Sequence, residues 1–177
     1  MLAFPIVFGI FSTADMIVPF VYGSDYGTAV VTLQIMVFSL LFIFLDFPIG
    51  TLLNADNRQT TKTLIMGGTM VVNLVLNFIL IPKYGGIGAA SSAVIAFAFL
   101  LLAGIIALHK SVPMVAMDML KAIRAPFVSS VAMLFVVLLS KQTIGLFAIL
   151  LGAVTYVALL RLSNRGISIK EIARDIL

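Results

Sequence analysis

From Thr28 to Leu53 the chain carries one ionisable side chain, Asp46, in 26 residues, and from Thr63 to Ile81 it carries none. Runs of this kind recur along the sequence, separated by short polar turns. An α-helix needs about 20 apolar residues to cross the hydrocarbon core of a bilayer, and only a helix or a closed barrel satisfies its own backbone in lipid. The composition agrees: 62% of the residues are hydrophobic, 10% are charged, and the mean hydropathy is +1.23. A soluble domain is about half apolar and a quarter charged, so this much apolar surface has no place in a water-facing fold. The predicted class is an all-α integral membrane protein.

Six spans are predicted, over 2–21, 28–53, 61–81, 87–108, 126–140 and 144–160. The first lacks the basic n-region of a signal peptide. It opens with no polar flank, which points to a piece of a longer helical protein. Asp15 falls inside it, where an ionised carboxylate costs at least about 2.5 kcal/mol and needs a partner or a wet cavity; Pro19 is expected to kink or end the helix. The second span contains Asp46 and Pro48. Pro48 removes a backbone hydrogen bond and makes a candidate hinge. The third is expected to stop near Ile81, because Pro82 and Gly85-Gly86 follow. The fourth begins with Gly88, Ser92 and Ala96 at four-residue spacing, a small-residue stripe that lets helix backbones approach in lipid. Its GGIGAAS start looks like a nucleotide loop, but no βαβ pattern surrounds it.

The four helices of 1–108 are read as one group, followed by an interfacial helix over 109–125 in which Asp118, Lys121 and Arg124 share a side. Two further spans occupy 126–160, with a tight turn at Lys141-Gln142-Thr143 between them. The tail, 161–177, carries a capping box, Ser168 with Glu171, that opens a short amphipathic helix.

The net charge of +4 and pI near 9.6 come from basic residues in the turns, so they are read as orientation and not as nucleic-acid binding. With six spans, one side holds Arg58, Lys62, Lys110, Lys121, Arg124, Arg161, Arg165, Lys170 and Arg174, against Lys83 and Lys141 on the other. The positive-inside rule then puts both termini in the cytoplasm of a multi-pass cell-membrane protein.

Enzyme signatures are missing. The chain has no cysteine and a single histidine, His109, at a helix end. Neither a Ser-His-Asp set, a paired-histidine metal motif nor a P-loop occurs, and no cofactor or metal is expected. Three features can carry chemistry. Thr69, Asn73 and Asn77 recur every four residues and line one stripe; they either bond to a neighbouring helix for about 0.6–2 kcal/mol or line a polar path. Asp15 and Asp46 are intramembrane acids, which mark ion or proton pathways unless they are neutral or reach interfacial water. The kink at Pro48 is either a hinge for alternating access or static.

The stretch NLVLNFILIPKYGGIGAASSAV, Asn73 to Val94, with TLLNADNRQTTK and IVPFVYGSDY upstream, resembles the C-terminal half of polysaccharide-biosynthesis flippases of the multidrug/oligosaccharidyl-lipid/polysaccharide exporter superfamily. The paired asparagines, the Ile-Pro, the Tyr-Gly turn and the Gly-Ala-Ala helix start carry the resemblance, which extends over essentially the whole chain. It implies twelve to fourteen helices in two lobes around a cavity, of which this chain supplies about the last six. The implied substrate is a polyprenyl-pyrophosphate-linked sugar, moved from the cytoplasmic to the outer leaflet; the implied partners are membrane lipids and either a separate first-lobe polypeptide or a second copy of the chain. Some relatives bind sodium through an asparagine and an aspartate at the place of Asn73 and Asn77; here the acid is an amide. A fragment of a cation-coupled drug exporter of the same superfamily and a non-transporting membrane scaffold are the competing readings.

Overall fold

The computed structural model describes residues 3–109, 115–144 and 152–158. Helix α1 (Ala3–Tyr22) leads through a short 3-10 turn (Ser24–Tyr26) into α2 (Gly27–Ala55). Helix α3 (Gln59–His109) and α4 (Val115–Ile144) follow, and residues 152–158 are helical again. Three of these helices, α1, α2 and α3, are long and apolar enough to cross a membrane, and α4 contains a shorter apolar segment, Pro126–Ser140. The protein is therefore an all-helical membrane protein among its described residues. The six-span count is not reproduced as six separate helices.

The differences have local causes. Helices α1 and α2 end at Tyr22 and Ala55, within two residues of the expected ends, with Pro19 and Pro48 inside them. A proline forfeits one backbone bond, and the turns around it hold the helix together. Pro82 likewise sits inside α3; the backbone leaves the helix only at Gly85, with φ 56° and ψ −129°. That conformation is accessible essentially to glycine alone, so Gly85 and not Pro82 makes the break. It leaves a first arm, 59–84, and a second arm, 86–109, each longer than the roughly 20 residues a bilayer requires. Toward the C-terminus, no break appears at Pro126 or at Lys141-Gln142-Thr143: α4 is continuous to Ile144. The tripeptide holds neither glycine nor proline, so nothing in it ends a helix. Residues 110–114 of the expected interfacial helix and the tail 161–177 with its capping box lie outside the described residues.

The chain divides into two compact units, Thr13–Met119 and Met1–Ser12 with Leu120–Leu177. In the second of these, the first turns of α1 associate with the C-terminal helices. In that smaller unit, Phe127 packs edge-on against Phe4 and Phe8, with ring centroids 5.7 and 6.2 Å apart. Met133, Val137 and Tyr156 form its buried cluster, and Val137 lies so close to Gly152 that no side chain fits there.

In the larger unit, α2 packs on α3. Ile49 and Leu53 of α2 meet Leu101 and Leu108 of the second arm, flanked by Phe42, Leu45 and Ile105. The pairing of Gly86 with Thr32, and of Gly104 with Ile49, shows the second arm running parallel to α2. The first arm runs the opposite way, from Lys62 beside Gly50 to the Gly85 turn. The outer surface is apolar, unlike that of a soluble bundle: Phe47, Leu64, Met70 and Phe78 are at least 70% exposed, while the hydroxyls of Ser39, Thr69 and Ser92 are buried beside the apolar core. Large apolar side chains outside and small hydroxyls inside suit helices that pack in lipid through close contact.

Candidate functional site

The two arms of α3 fold against each other because small residues allow it. A Cβ at Gly88 would collide with the Leu80 carbonyl, and the Phe99 ring lies where a side chain on Gly68 would touch it. Ser92 is fully buried and Ala96 nearly so. The Ser92 hydroxyl donates to the Gly88 carbonyl oxygen at 2.8 Å, one turn back in its own helix. Thr69 does the same toward the Ile65 carbonyl at 2.9 Å. These hydroxyls are satisfied internally, so their contribution between the arms is their small size.

Between the arms lies a cleft of about 410 Å³, lined on one side by Met66, Thr69, Met70 and Asn73 and on the other by Ala93, Ala96, Phe97 and Leu100. Thr69 and Asn73 are the polar members of an otherwise apolar wall. One turn further along the first arm, Asn77 Nδ2 donates to Asn73 Oδ1 at 2.9 Å. The bond joins two turns of one helix. Asn77 Oδ1 is buried and has no hydrogen-bond partner, in a shallow groove formed with Leu74, Phe78, Ile81 and Pro82. A buried carbonyl without a partner costs about 1–3 kcal/mol. Thr69, Asn73 and Asn77 thus share a stripe, with two of them on the cleft and the third beside it.

The remaining candidates lie apart from the stripe. Asp15 is exposed on α1 and Pro48 is exposed on α2. Asp46 is half-buried, with its carboxylate against Gly104 of the second arm. Its neighbour is Lys62 from the start of the first arm: the ammonium lies over Gly50, one turn beyond Asp46 on α2, and its charge acts on the Asp46 carboxylate. Close by in the fold, Arg58 Nη1 donates to the Ala107 carbonyl oxygen at 2.8 Å. That carbonyl belongs to the last turn of α3, which has no partner within the helix.

Reading the residues alone placed Arg58 and Lys62 in a polar turn and gave them no role beyond orientation. The signal that could have found them was Gly50 and Gly104, two glycines within strongly apolar helices, where a close neighbour is the usual reason for the missing side chain. Among the described residues, no group of three or more His, Asp or Glu side chains is placed to hold a metal ion.

Comparison with known proteins points in one direction. Over 98 residues, 55% of the chain, it is 33% identical to the probable low-salt glycan biosynthesis flippase Agl15 of Haloferax volcanii. Over 76 residues, 43% of the chain, it is 32% identical to the capsular polysaccharide biosynthesis protein CapF of Staphylococcus aureus. The matched stretches span about a fifth of the length of these relatives, 21% and 19%. No protein-family model matches the chain, and no solved structure does. One relative is named as a flippase of glycan biosynthesis and the other as a protein of capsular polysaccharide biosynthesis; the first name describes a transporter and not an enzyme.

Proposed function

We propose that the chain is the second-lobe portion of a flippase that carries polyprenyl-pyrophosphate-linked oligosaccharide from the cytoplasmic to the outer leaflet of the cell membrane, for surface polysaccharide synthesis. The observation that carries this reading is the 33% identity to a glycan-biosynthesis flippase, in a chain whose long helices are apolar enough for lipid. Thr69, Asn73 and Asn77 line the path on this lobe, and the unpartnered Asn77 carbonyl accepts from sugar hydroxyls or from water. The lipid tail stays in the bilayer while the sugar and pyrophosphate pass through the hydrated interior of the assembled transporter, by alternating access with Pro48 as a hinge. Gly88, Ser92 and Ala96 hold the two arms together. Both termini face the cytoplasm, and the arms of α3 count as two of six spans. A separate first-lobe polypeptide, or a second copy of the chain, completes the cavity.

The test is complementation. A strain lacking its polysaccharide flippase is given the chain alone, or the chain with the first lobe of a relative. Restored surface polysaccharide in the second case, lost again on Asn73→Leu with Asn77→Leu, supports the reading. Sodium- or proton-driven efflux of organic cations from reconstituted vesicles would instead indicate a drug exporter. Complementation indifferent to Asp15→Asn, Asp46→Asn and Asn73→Leu would indicate a scaffold.

A further inference from the structure

Asp46 is the one ionisable group within the apolar run of α2, and nothing about its sequence position says what compensates it. We propose that Lys62 is its resident counter-cation, and that the pair, seated on Gly50 and Gly104, clamps the end of α2 to both arms of α3. Asp46 and Gly50 are one turn apart and so share a face of α2. A Cβ on Gly50 would lie 2.9 Å from Lys62 Nζ and 3.1 Å from its Cε; one on Gly104 would lie 3.2 Å from Asp46 Oδ1. Each glycine therefore vacates the space that one charged group occupies. The three contributing segments are α2, the first turn of the first arm, and the second arm, so the charges sit where all three meet.

The physics favours this arrangement over a carboxylate held alone. An unpaired charge among apolar helices is costly, and opposite charges attract several-fold more strongly at a partly buried site than in water. The Lys62 stem lies along Gly50 and carries the ammonium one turn from Asp46, while its backbone remains in the helix-start turn. The adjacent Arg58–Ala107 bond ties the same end, with Arg58 preceding the first arm and Ala107 closing the second. At the opposite end the arms meet at the Gly85 turn, where Gly88 lies against the Leu80 backbone. The clamp gives Asp46 a structural role in holding three segments in register and leaves the Thr69, Asn73 and Asn77 stripe as the polar path. It does not depend on what the protein transports.

Thermal unfolding of the full chain in detergent tests the pair. Asp46→Asn and Lys62→Gln each lower the midpoint by about 3–6 °C, and the double variant falls no further than the larger single. Lys62→Arg keeps most of the midpoint, and the exchange Asp46→Lys with Lys62→Asp recovers at least half of the loss. Gly50→Ala and Gly104→Ala reproduce the single-variant shifts, because each displaces one charge. The clamp is overturned if Lys62→Gln leaves the midpoint unchanged, if the two single shifts add in the double variant, or if Asp46→Asn abolishes complementation without lowering the midpoint. Should Asp46→Asn fail to accumulate, accumulation of the double variant supports the pair and its absence, with normal Lys62→Gln, overturns it.

Discussion

Arg58 donates from Nη1 to the carbonyl oxygen of Ala107 at 2.8 Å, across 49 positions of sequence. The contact exists because α2 ends abruptly: Asn57 adopts a positive φ of 55°, a conformation asparagine tolerates better than most residues. The Arg58 N–H then bonds back to the Leu53 carbonyl at 2.9 Å. This turn aims the guanidinium at the last turn of α3, where orphan carbonyls and the negative end of the helix dipole both favour a cation. Removing the side chain with Arg58→Ala is expected to destabilise the larger unit by about 1–2 kcal/mol. Arg58→Lys should recover part of that. Unfolding midpoints measured side by side decide it, and equal loss in both variants would rule out charge as the cause.

Glycines in α3 separate by mechanism. Gly85 has open space around it but a positive φ, so Gly85→Ala should cost about 1–3 kcal/mol through backbone strain alone. Gly88→Ala should cost more, because the added methyl meets the Leu80 backbone, which cannot move aside as a side chain would. Gly67 is helical with nothing near its absent side chain, and Gly67→Ala should be neutral or stabilising by up to about 1 kcal/mol. An inverted order in a melting series would show that the turn is not where the arms are joined.

The asparagine pair predicts an asymmetry. Asn73→Leu removes the acceptor of the Asn77 amide and leaves a second polar atom of Asn77 unpartnered, for a loss of about 1–2 kcal/mol. Asn77→Leu deletes the oxygen that already lacks a partner together with the donor to Asn73 Oδ1, which lines the cleft, so its loss of stability should be the smaller of the two. Both should reduce transport if the stripe lines the path. Comparing stability with complementation for the two variants separates these effects, and equal destabilisation would count against the bonding described.

Ser92 tests whether hydroxyls or small size hold the arms together. Its hydroxyl bonds within its own helix, so Ser92→Ala should change stability by less than about 0.5 kcal/mol. Ser92→Leu should destabilise by about 1–3 kcal/mol, since the site has no room. A large loss with alanine would mean that the hydroxyl does more than satisfy itself.

Membrane character, the helical class and the approximate starts of the long helices were legible in the residues, because a helix in lipid is specified by a continuous apolar run and needs no distant partner. The same local logic misplaced several ends. Pro82 read as a stop, yet a helix absorbs one missing bond when its neighbouring turns are intact. The break at Gly85 depends on a backbone conformation that two adjacent glycines suggest without saying which adopts it. Lys141-Gln142-Thr143 read as a turn because it is polar, but polarity alone does not end a helix.

For the candidate site, periodicity put Thr69, Asn73 and Asn77 on one stripe, since a four-residue repeat fixes a helix face before anything packs against it. The tertiary structure decided what that stripe faces: a cleft between two arms of one chain, with the Asn77 oxygen left over. It also brought Lys62 to Asp46 and Arg58 to Ala107. Those relations join residues 16 and 49 positions apart, and they follow from how α2 and the two arms lie together. Charge and hydropathy along a sequence carry no record of which helices become neighbours. That choice is made by small residues such as Gly50, Gly88 and Gly104, whose missing side chains acquire meaning only when another helix fills the space.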